Sequence, residues 1–328
     1  MKKLYSRRNF IASATAVCVA LQIPVSAKSF LSGLKKKVKL GIITDLHQDI
    51  MHDGLSRLQA FVQHMKDERP DALLQMGDFA YPGDKNKEVI ELYKNAHQQV
   101  LHVIGNHDTD AGFTKEQCMS YWGMPGRYYT KDINGILFII LDGNDKGSPS
   151  YKGGYPAYVN EEQKSWLKQQ LNEAAKPVII VSHQPIAGPG AIDNAKEIQE
   201  LLGAASHKIL LAINGHTHID DMLSVGNVTY VHINSASYFW GGDKYTHESY
   251  GADIHKEHPY ISRTFPYRDA LFALLTIDPA KGTVTIEGKK SEWVGASPEQ
   301  LGYKETYYAD AGKVIAPTIS NRNIRKDN

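Results

Sequence analysis

Five short aliphatic runs punctuate this chain, and each stops abruptly at a cluster of Asp, His or Asn. Residues 38–43 lead to Asp45-Leu46-His47, 72–76 to Gly77-Asp78, and 100–104 to Gly105-Asn106-His107-Asp108. Residues 178–181 lead to His183, and 209–213 to Gly215-His216-Thr217-His218. Runs rich in Val, Ile and Leu without polar alternation suit strands buried on both faces, the environment of a parallel sheet. Parallel strands need long crossovers, usually helical, and open α/β sheets bind ligands at the carboxyl ends of their strands. The pattern therefore restricts the chain to an α/β fold in which five distant clusters can meet at one edge.

The intervening segments carry the helical period. Residues 55–68 place Leu55, Leu58, Phe61, Val62 and Met65 on one stripe. Residues 161–174 follow an Asn160/Gln163 capping pair and carry Trp166, Leu167 and Leu171 on one face. These stripes are core-facing. Alternating strand and helix predicts a mainly parallel sheet, with a further strand at 136–141. The later runs at 228–233, 270–277 and 283–287 are expected to form a second sheet.

Carboxylate oxygen, imidazole nitrogen and amide oxygen are the ligands of hard and borderline divalent metals. Asp45 with His47, and His216 with His218, stand two apart, a spacing that can put both side chains on one face of an extended segment. Gly77, Gly105 and Gly215 precede ligand candidates, as expected where the backbone turns sharply beside bulky partners. Two divalent ions would bring four positive charges against two carboxylates, Asp45 and Asp78, leaving room for a hydroxide and a phosphate oxyanion. Paired ions roughly 3.5–4 Å apart clamp the attacking and leaving oxygens of a displacement, so a bridging hydroxide could serve as nucleophile without Ser or Cys.

In this order, Asp-x-His, Gly-Asp, Gly-Asn-His-Asp, His and Gly-His-x-His resemble the motif set of the calcineurin-like metallophosphoesterases, across roughly residues 38–220. The resemblance implies a four-layer α/β/β/α sandwich and two divalent or mixed-valence metal ions (Mn, Fe, Zn or Co). It implies a first ion held by Asp45, His47, Asp78 and His218, and a second by Asp78, Asn106, His183 and His216, with Asp78 bridging. It makes His107 the group that steadies phosphoryl charge and protonates the leaving oxygen. The adjacent Asp108 could then hold that imidazole in its required tautomer. The motif set resembles the cyclic-nucleotide phosphodiesterase branch most, which favours small phosphodiesters or nucleotides; an extracytoplasmic phosphomonoesterase is the alternative. Relatives that serve as non-catalytic scaffolds have lost metal ligands or the catalytic His, and here each is present.

One departure concerns Gly77-Asp78-Phe79-Ala80-Tyr81, which fits the Gly-Asp-x-x-Tyr motif of purple acid phosphatases, where the Tyr ligates ferric iron. Those enzymes usually carry Asp-x-Gly at the first motif. With His47 present, Tyr81 is surplus as a ligand and reads as a loop tyrosine packed beside the site, before the turn at Pro82-Gly83.

The amino terminus resembles a twin-arginine export signal over residues 1–27: Ser6-Arg7-Arg8-Asn9-Phe10-Ile11, an apolar stretch, and a small-residue cleavage site at Val25-Ser26-Ala27. Its apolar part is too short and polar for a membrane span, so the mature form is expected to lack an integral membrane segment. The signal implies a periplasmic or extracellular protein that meets the export machinery transiently. Residues 28–37 then form a linker, with Lys35-Lys36-Lys37 solvated ahead of a single domain at 38–328. Cys118 is the lone cysteine after the signal, so no internal disulfide can form, and it is expected as a half-buried helix residue. A formal net charge of +1 argues against stable nucleic-acid binding.

Two segments lack a regular period. Residues 143–158 are rich in Gly, Pro, Ser and Tyr. Residues 234–269 carry eight aromatic side chains together with Arg263 and Arg268. A long irregular stretch within a compact domain is commonly functional, and its aromatic content argues against disorder. The second segment is expected to fold over the metal edge as a substrate wall, its rings stacking on a base or sugar and an Arg meeting phosphate.

Overall fold

Strands and helices alternate along the chain, and the computed structural model describes residues 31, 33–304 and 315–324. The first half runs β1 (Val38–Ile43), α1 (Gly54–Glu68), β2 (Ala72–Gln75), α2 (Lys87–Ala96), β3 (Val100–His102) and α3 (Lys115–Trp122). Then follow β4 (Tyr129–Ile133), β5 (Ile136–Ile140), α4 (Glu161–Glu173), β6 (Val178–Ser182), α5 (Ala195–Ala204) and β7 (Ile209–Asn214). The remainder is β8 (Asp221–Val225), β9 (Val228–His232), β10 (Tyr238–Trp240), α6 (Ala252–Glu257), β11 (Thr264–Pro266), β12 (Ala273–Asp278), β13 (Thr283–Glu287) and β14 (Arg322–Ile324). The expected helices start where their caps stand: the Asn160 side chain accepts the Gln163 backbone N–H at 2.9 Å, opening α4.

The strands form two six-stranded sheets in the orders β14-β13-β12-β1-β2-β3 and β4-β5-β6-β7-β9-β8. Strands β1, β2 and β3 are parallel, as are β5, β6, β7 and β9. The single mainly parallel sheet expected for the cluster-bearing runs is thus divided, β1–β3 in one sheet and β6 and β7 in the other. The later runs do not make a sheet of their own either. Strand β9 joins β7, whereas β12 and β13 extend the first sheet antiparallel from β1.

Side-chain alternation shows why both faces of each sheet are apolar. Leu40, Ile42, Phe138, Ile140, Val181 and Ile213 meet between the sheets in one core. The intervening residues Ile43 and Leu73 face Leu58, Phe61 and Met65 of α1 and Val89 and Tyr93 of α2. Ile139 and Ile180 face Leu167 of α4 and Ile198 of α5. Helix, sheet, sheet and helix are therefore stacked as the four-layer α/β/β/α sandwich, each strand supplying two apolar faces.

Several residues depart from expectation. Leu31 is buried in the inter-sheet core and Leu34 packs against it, so the 28–37 segment includes anchored residues; Lys35, Lys36 and Lys37 are exposed. Cys118 is fully buried in α3 rather than half-buried, because it lies on the face that packs with Trp122 against the first sheet. The 234–269 segment is partly regular, containing the β10–β11 ribbon and the short α6. The expected signal at 1–27 lies outside the described residues. Among the described residues, no helix is long and apolar enough to cross a membrane.

Candidate metal centre

The turns that follow β1, β2, β3, β6 and β7 all reach the same edge of the sandwich. Asp45, His47 and His218 bring one ligand atom each within 4.8 Å of one another, and Asp78, His183 and His216 do the same. In the first group His218 Nε2 stands 3.1 Å from Asp45 Oδ1 and 3.2 Å from His47 Nε2. In the second, His183 Nε2 stands 3.2 Å from Asp78 Oδ2 and 3.3 Å from His216 Nδ1. Asn106 Oδ1 joins the second group at 3.2 Å from His183 Nε2. Asp78 Oδ2 also lies 3.6 Å from His47 Nε2, so its carboxylate touches both groups.

The backbone that delivers these side chains is not extended. Asp45, His47, Asp78, His216 and His218 all take left-handed φ values between 49° and 68°. The i, i+2 pairs therefore converge through left-handed turns, not through the pleat of a strand. Asp and His tolerate this region better than most residues, at a cost of roughly 1–3 kcal/mol each. The turns are locked from outside: Asp45 N–H donates to Gly77 O at 3.0 Å, and His47 N–H to Asp78 O at 2.9 Å. Ser235 Oγ donates to Asp45 O at 2.9 Å and Ser237 Oγ to Leu46 O at 2.7 Å. Gly105 is required for room, since a Cβ there would overlap the Asp78 carboxylate and backbone.

The donor and acceptor balance at this edge calls for cations. His218 Nδ1–H donates to Tyr238 O at 2.8 Å, so Nε2 is the nitrogen turned towards Asp45 and His47. An Asp45 carboxylate oxygen and the Nε2 atoms of His218 and His47 thus crowd one point, an arrangement that a shared cation would stabilise. Burial holds His47 at about 3 and His216 at about 3, so both imidazoles are neutral. Burial disfavours charge on Asp45, but His218 and His183 outweigh it and hold the carboxyl at about 2. Burial likewise opposes charge on His183, yet Asp78 and Asp45 lift it to about 10. Its Nδ1–H donates to Met76 O at 2.7 Å, fixing Nε2 as the nitrogen offered to a metal, as second-layer partners of ligating histidines commonly do. Imidazole nitrogens and carboxylate and amide oxygens in two such groups fit two divalent ions.

A pH dependence follows for metal uptake. In the metal-free protein His183 keeps its proton up to about pH 10 and must release it before Nε2 can ligate, whereas His47 and His216 have none to lose. Metal titration at neutral pH, followed by calorimetry in buffers of different ionisation enthalpy, should show proton release, and affinity should weaken as pH falls. Uptake without proton release would contradict this account.

His107 borders both groups but belongs to neither. Its ring centroid is 5.3 Å from that of His47. Burial disfavours its charge, but Asp78 and Asp110 overcome that and raise it above the usual histidine range. The expected Asp108 partnership does not form. Asp108 accepts the backbone N–H groups of Asp78, Phe79 and Gly105 at 2.9, 2.7 and 2.7 Å, clamping the β2 and β3 turns together. The residue tied to His107 is Asp110, whose Oδ2 is 2.8 Å from Nδ1. A short 3-10 turn opens at His107 and breaks at Asp110, where ψ is 172°, so position i+3 shares the His107 side while i+1 points away. Only an explicit helical reading of 107–112 would have chosen Asp110 over its neighbour.

A cleft of about 1040 Å³ opens over this edge, lined by ligand candidates at its floor. Its wall includes Tyr238, Trp240, Tyr260 and Arg263 from the expected segment, together with Tyr303. The Tyr238 ring packs 4.9 Å from both His47 and His218, and Trp240 lies 6.4 Å further along. Trp240 is 42% exposed and Tyr260 53%. Arg263 lies over the Tyr260 ring at 5.0 Å and pairs with Asp243 at 2.5 Å. Tyr81 lines the same cleft, its ring 5.8 Å from Phe113, and burial together with Asp110 and Asp49 pushes its phenol up. His247, His255 and Arg268 do not line the cleft.

A family model for calcineurin-like phosphoesterases matches residues 38–220. A probable cyclic nucleotide phosphodiesterase of Synechococcus sp. is 26% identical over 195 residues, covering 54% of this chain and 71% of that protein. A dimetal phosphatase from Danio rerio has a similar structure, with TM-score 0.57 at 14% identity, covering 79% of this chain and 99% of that one. GAP50, the anchor in the inner membrane complex of Plasmodium, gives 0.53 at 16% identity, covering 90% of each chain. These two structural likenesses establish a shared fold.

Proposed function

Because this chain belongs to the calcineurin-like phosphoesterase family, we propose that it is a binuclear-metal hydrolase of phosphodiesters or nucleotides that acts outside the cytoplasm. The observation that carries this reading is the juxtaposition, in one cleft, of two metal-ligand groups with an aromatic wall. Asp45, His47, Asp78 and His218 would hold one ion, and Asp78, Asn106, His183 and His216 the other. Two such ions supply a water acidified to hydroxide and neutralise phosphoryl charge. The chain's own residues do the rest. His107 would give a proton to the leaving oxygen, and the Asp108 clamp keeps the two turns that bear Asp78 and Asn106 in register.

The diester preference is supported by room and by surface. A phosphate group alone needs little of a 1040 Å³ cleft, which is at the upper end of small-molecule sites. Trp240 and Tyr260 offer exposed rings beyond the ligand groups, suited to a planar organic group on the far side of the phosphorus. The name of the Synechococcus relative points the same way. Assay of the metal-loaded mature protein on bis-p-nitrophenyl phosphate against p-nitrophenyl phosphate should favour the diester. Preference for the monoester would replace this reading with a phosphate-scavenging monoesterase. The location rests on the twin-arginine motif at Arg7-Arg8, and export that persists in cells lacking the twin-arginine translocase would exclude that route.

A further inference from the structure

Tyr155 stands on the irregular 143–158 loop, directly after Gly153 and Gly154, whose φ values are +99° and +82°. It is 46% exposed, and exposed loop tyrosines ordinarily make few specific contacts. This one makes several. Its hydroxyl donates to Asp110, 2.9 Å from Oδ1 and 2.8 Å from Oδ2, and lies 3.1 Å from His107 Nδ1. Its ring sits 4.7 Å from the His107 ring, centroid to centroid. An ionised carboxylate only accepts, so the Tyr155 O–H and the His107 Nδ1–H both donate to Asp110. Asp110 thus fixes one nitrogen of the imidazole, Tyr155 fixes Asp110, and the Tyr155 ring limits rotation of His107. Nε2 is the nitrogen left for a substrate.

The geometry points to Tyr155 as a positioning residue for proton transfer by His107, supplied from a loop that the metal groups do not use. This inference rests on the phosphoesterase reading. In the reaction, a water oxygen forms a new bond to phosphorus. The bond from phosphorus to the ester oxygen breaks with its electron pair on that oxygen, which takes the proton from His107 Nε2. The proton shed by the attacking water returns to the ring through solvent, so one water is consumed and none of the groups is changed.

The test uses full-length mature, metal-loaded protein and aryl phosphoesters of the class that the wild type hydrolyses, with p-nitrophenol or unsubstituted phenol as the leaving group. A residue that orients the acid matters most when the leaving oxygen is basic. Tyr155→Phe should therefore lower kcat by roughly 10-fold on the phenyl ester and much less on the p-nitrophenyl ester, with KM little changed. Asp110→Asn should show the same bias more strongly, approaching roughly 100-fold. Equal losses on both esters, or none, would overturn the proposal. If the wild type hydrolyses neither ester, the functional reading fails, and the contact itself is still read by NMR of histidine-¹⁵N-labelled protein. The His107 ring nitrogens should shift in Tyr155→Phe, and unmoved signals would overturn the positioning role.

Discussion

Asp78→Asn protein should fold normally, take up clearly less metal than the wild type, and lose turnover by at least the ~10²–10⁴-fold seen when a lone acid–base group is removed. Asp78 is the carboxylate that touches both ligand groups, 3.2 Å from His183 and 3.6 Å from His47. Its other oxygen accepts the His107 backbone N–H at 2.8 Å, so it also fixes the start of the turn that carries His107. Asn keeps the shape and tolerates the left-handed backbone at this position, where φ is 50°, so loss of charge is separated from loss of fold. Elemental analysis beside a thermal unfolding scan makes the measurement. A variant that keeps the wild-type metal content and rate would remove Asp78 from the shared position.

His107→Ala should behave differently: metal content retained, turnover down by ~10²–10⁴-fold. The distinction arises because the His107 ring stands beside the ligand groups and is tethered to Asp110, outside both sets of converging atoms. The pair of variants therefore divides metal holding from proton transfer. Unchanged turnover in His107→Ala would take this residue out of the chemistry, and loss of metal would move it among the ligands.

Much of this edge was legible in the sequence, for a physical reason. Strands buried on both faces leave unbroken aliphatic runs, and divalent metals accept a narrow choice of side chains, so Asp45, Asp78, Asn106, His183 and His218 stand out by type and by place. What escaped depended on long-range pairing or exact turn geometry. Nothing local in 273–278 says that it will lie antiparallel beside β1, because that register is set by the faces it must cover. The choice of Asp110 over Asp108 turned on a short 3-10 turn that opens at His107 and breaks at Asp110. Tyr155 lies in a stretch without period, and Ser235 and Ser237 look like ordinary loop residues until their hydroxyls are seen to hold the Asp45–Leu46 backbone.

The division of the ligand groups between the two sheets has a mechanical consequence. Asp45 and His47 leave the first sheet and His218 the second; Asp78 leaves the first, and His183 and His216 the second. Each bound ion would therefore rivet the halves of the sandwich together at one rim, where the described residues, with Cys118 as their single cysteine, offer no disulfide to do so. Chelation should then loosen that rim selectively. Amide exchange would quicken in the turns after β1, β2, β6 and β7, while the far ends of the same strands stay protected by the inter-sheet core.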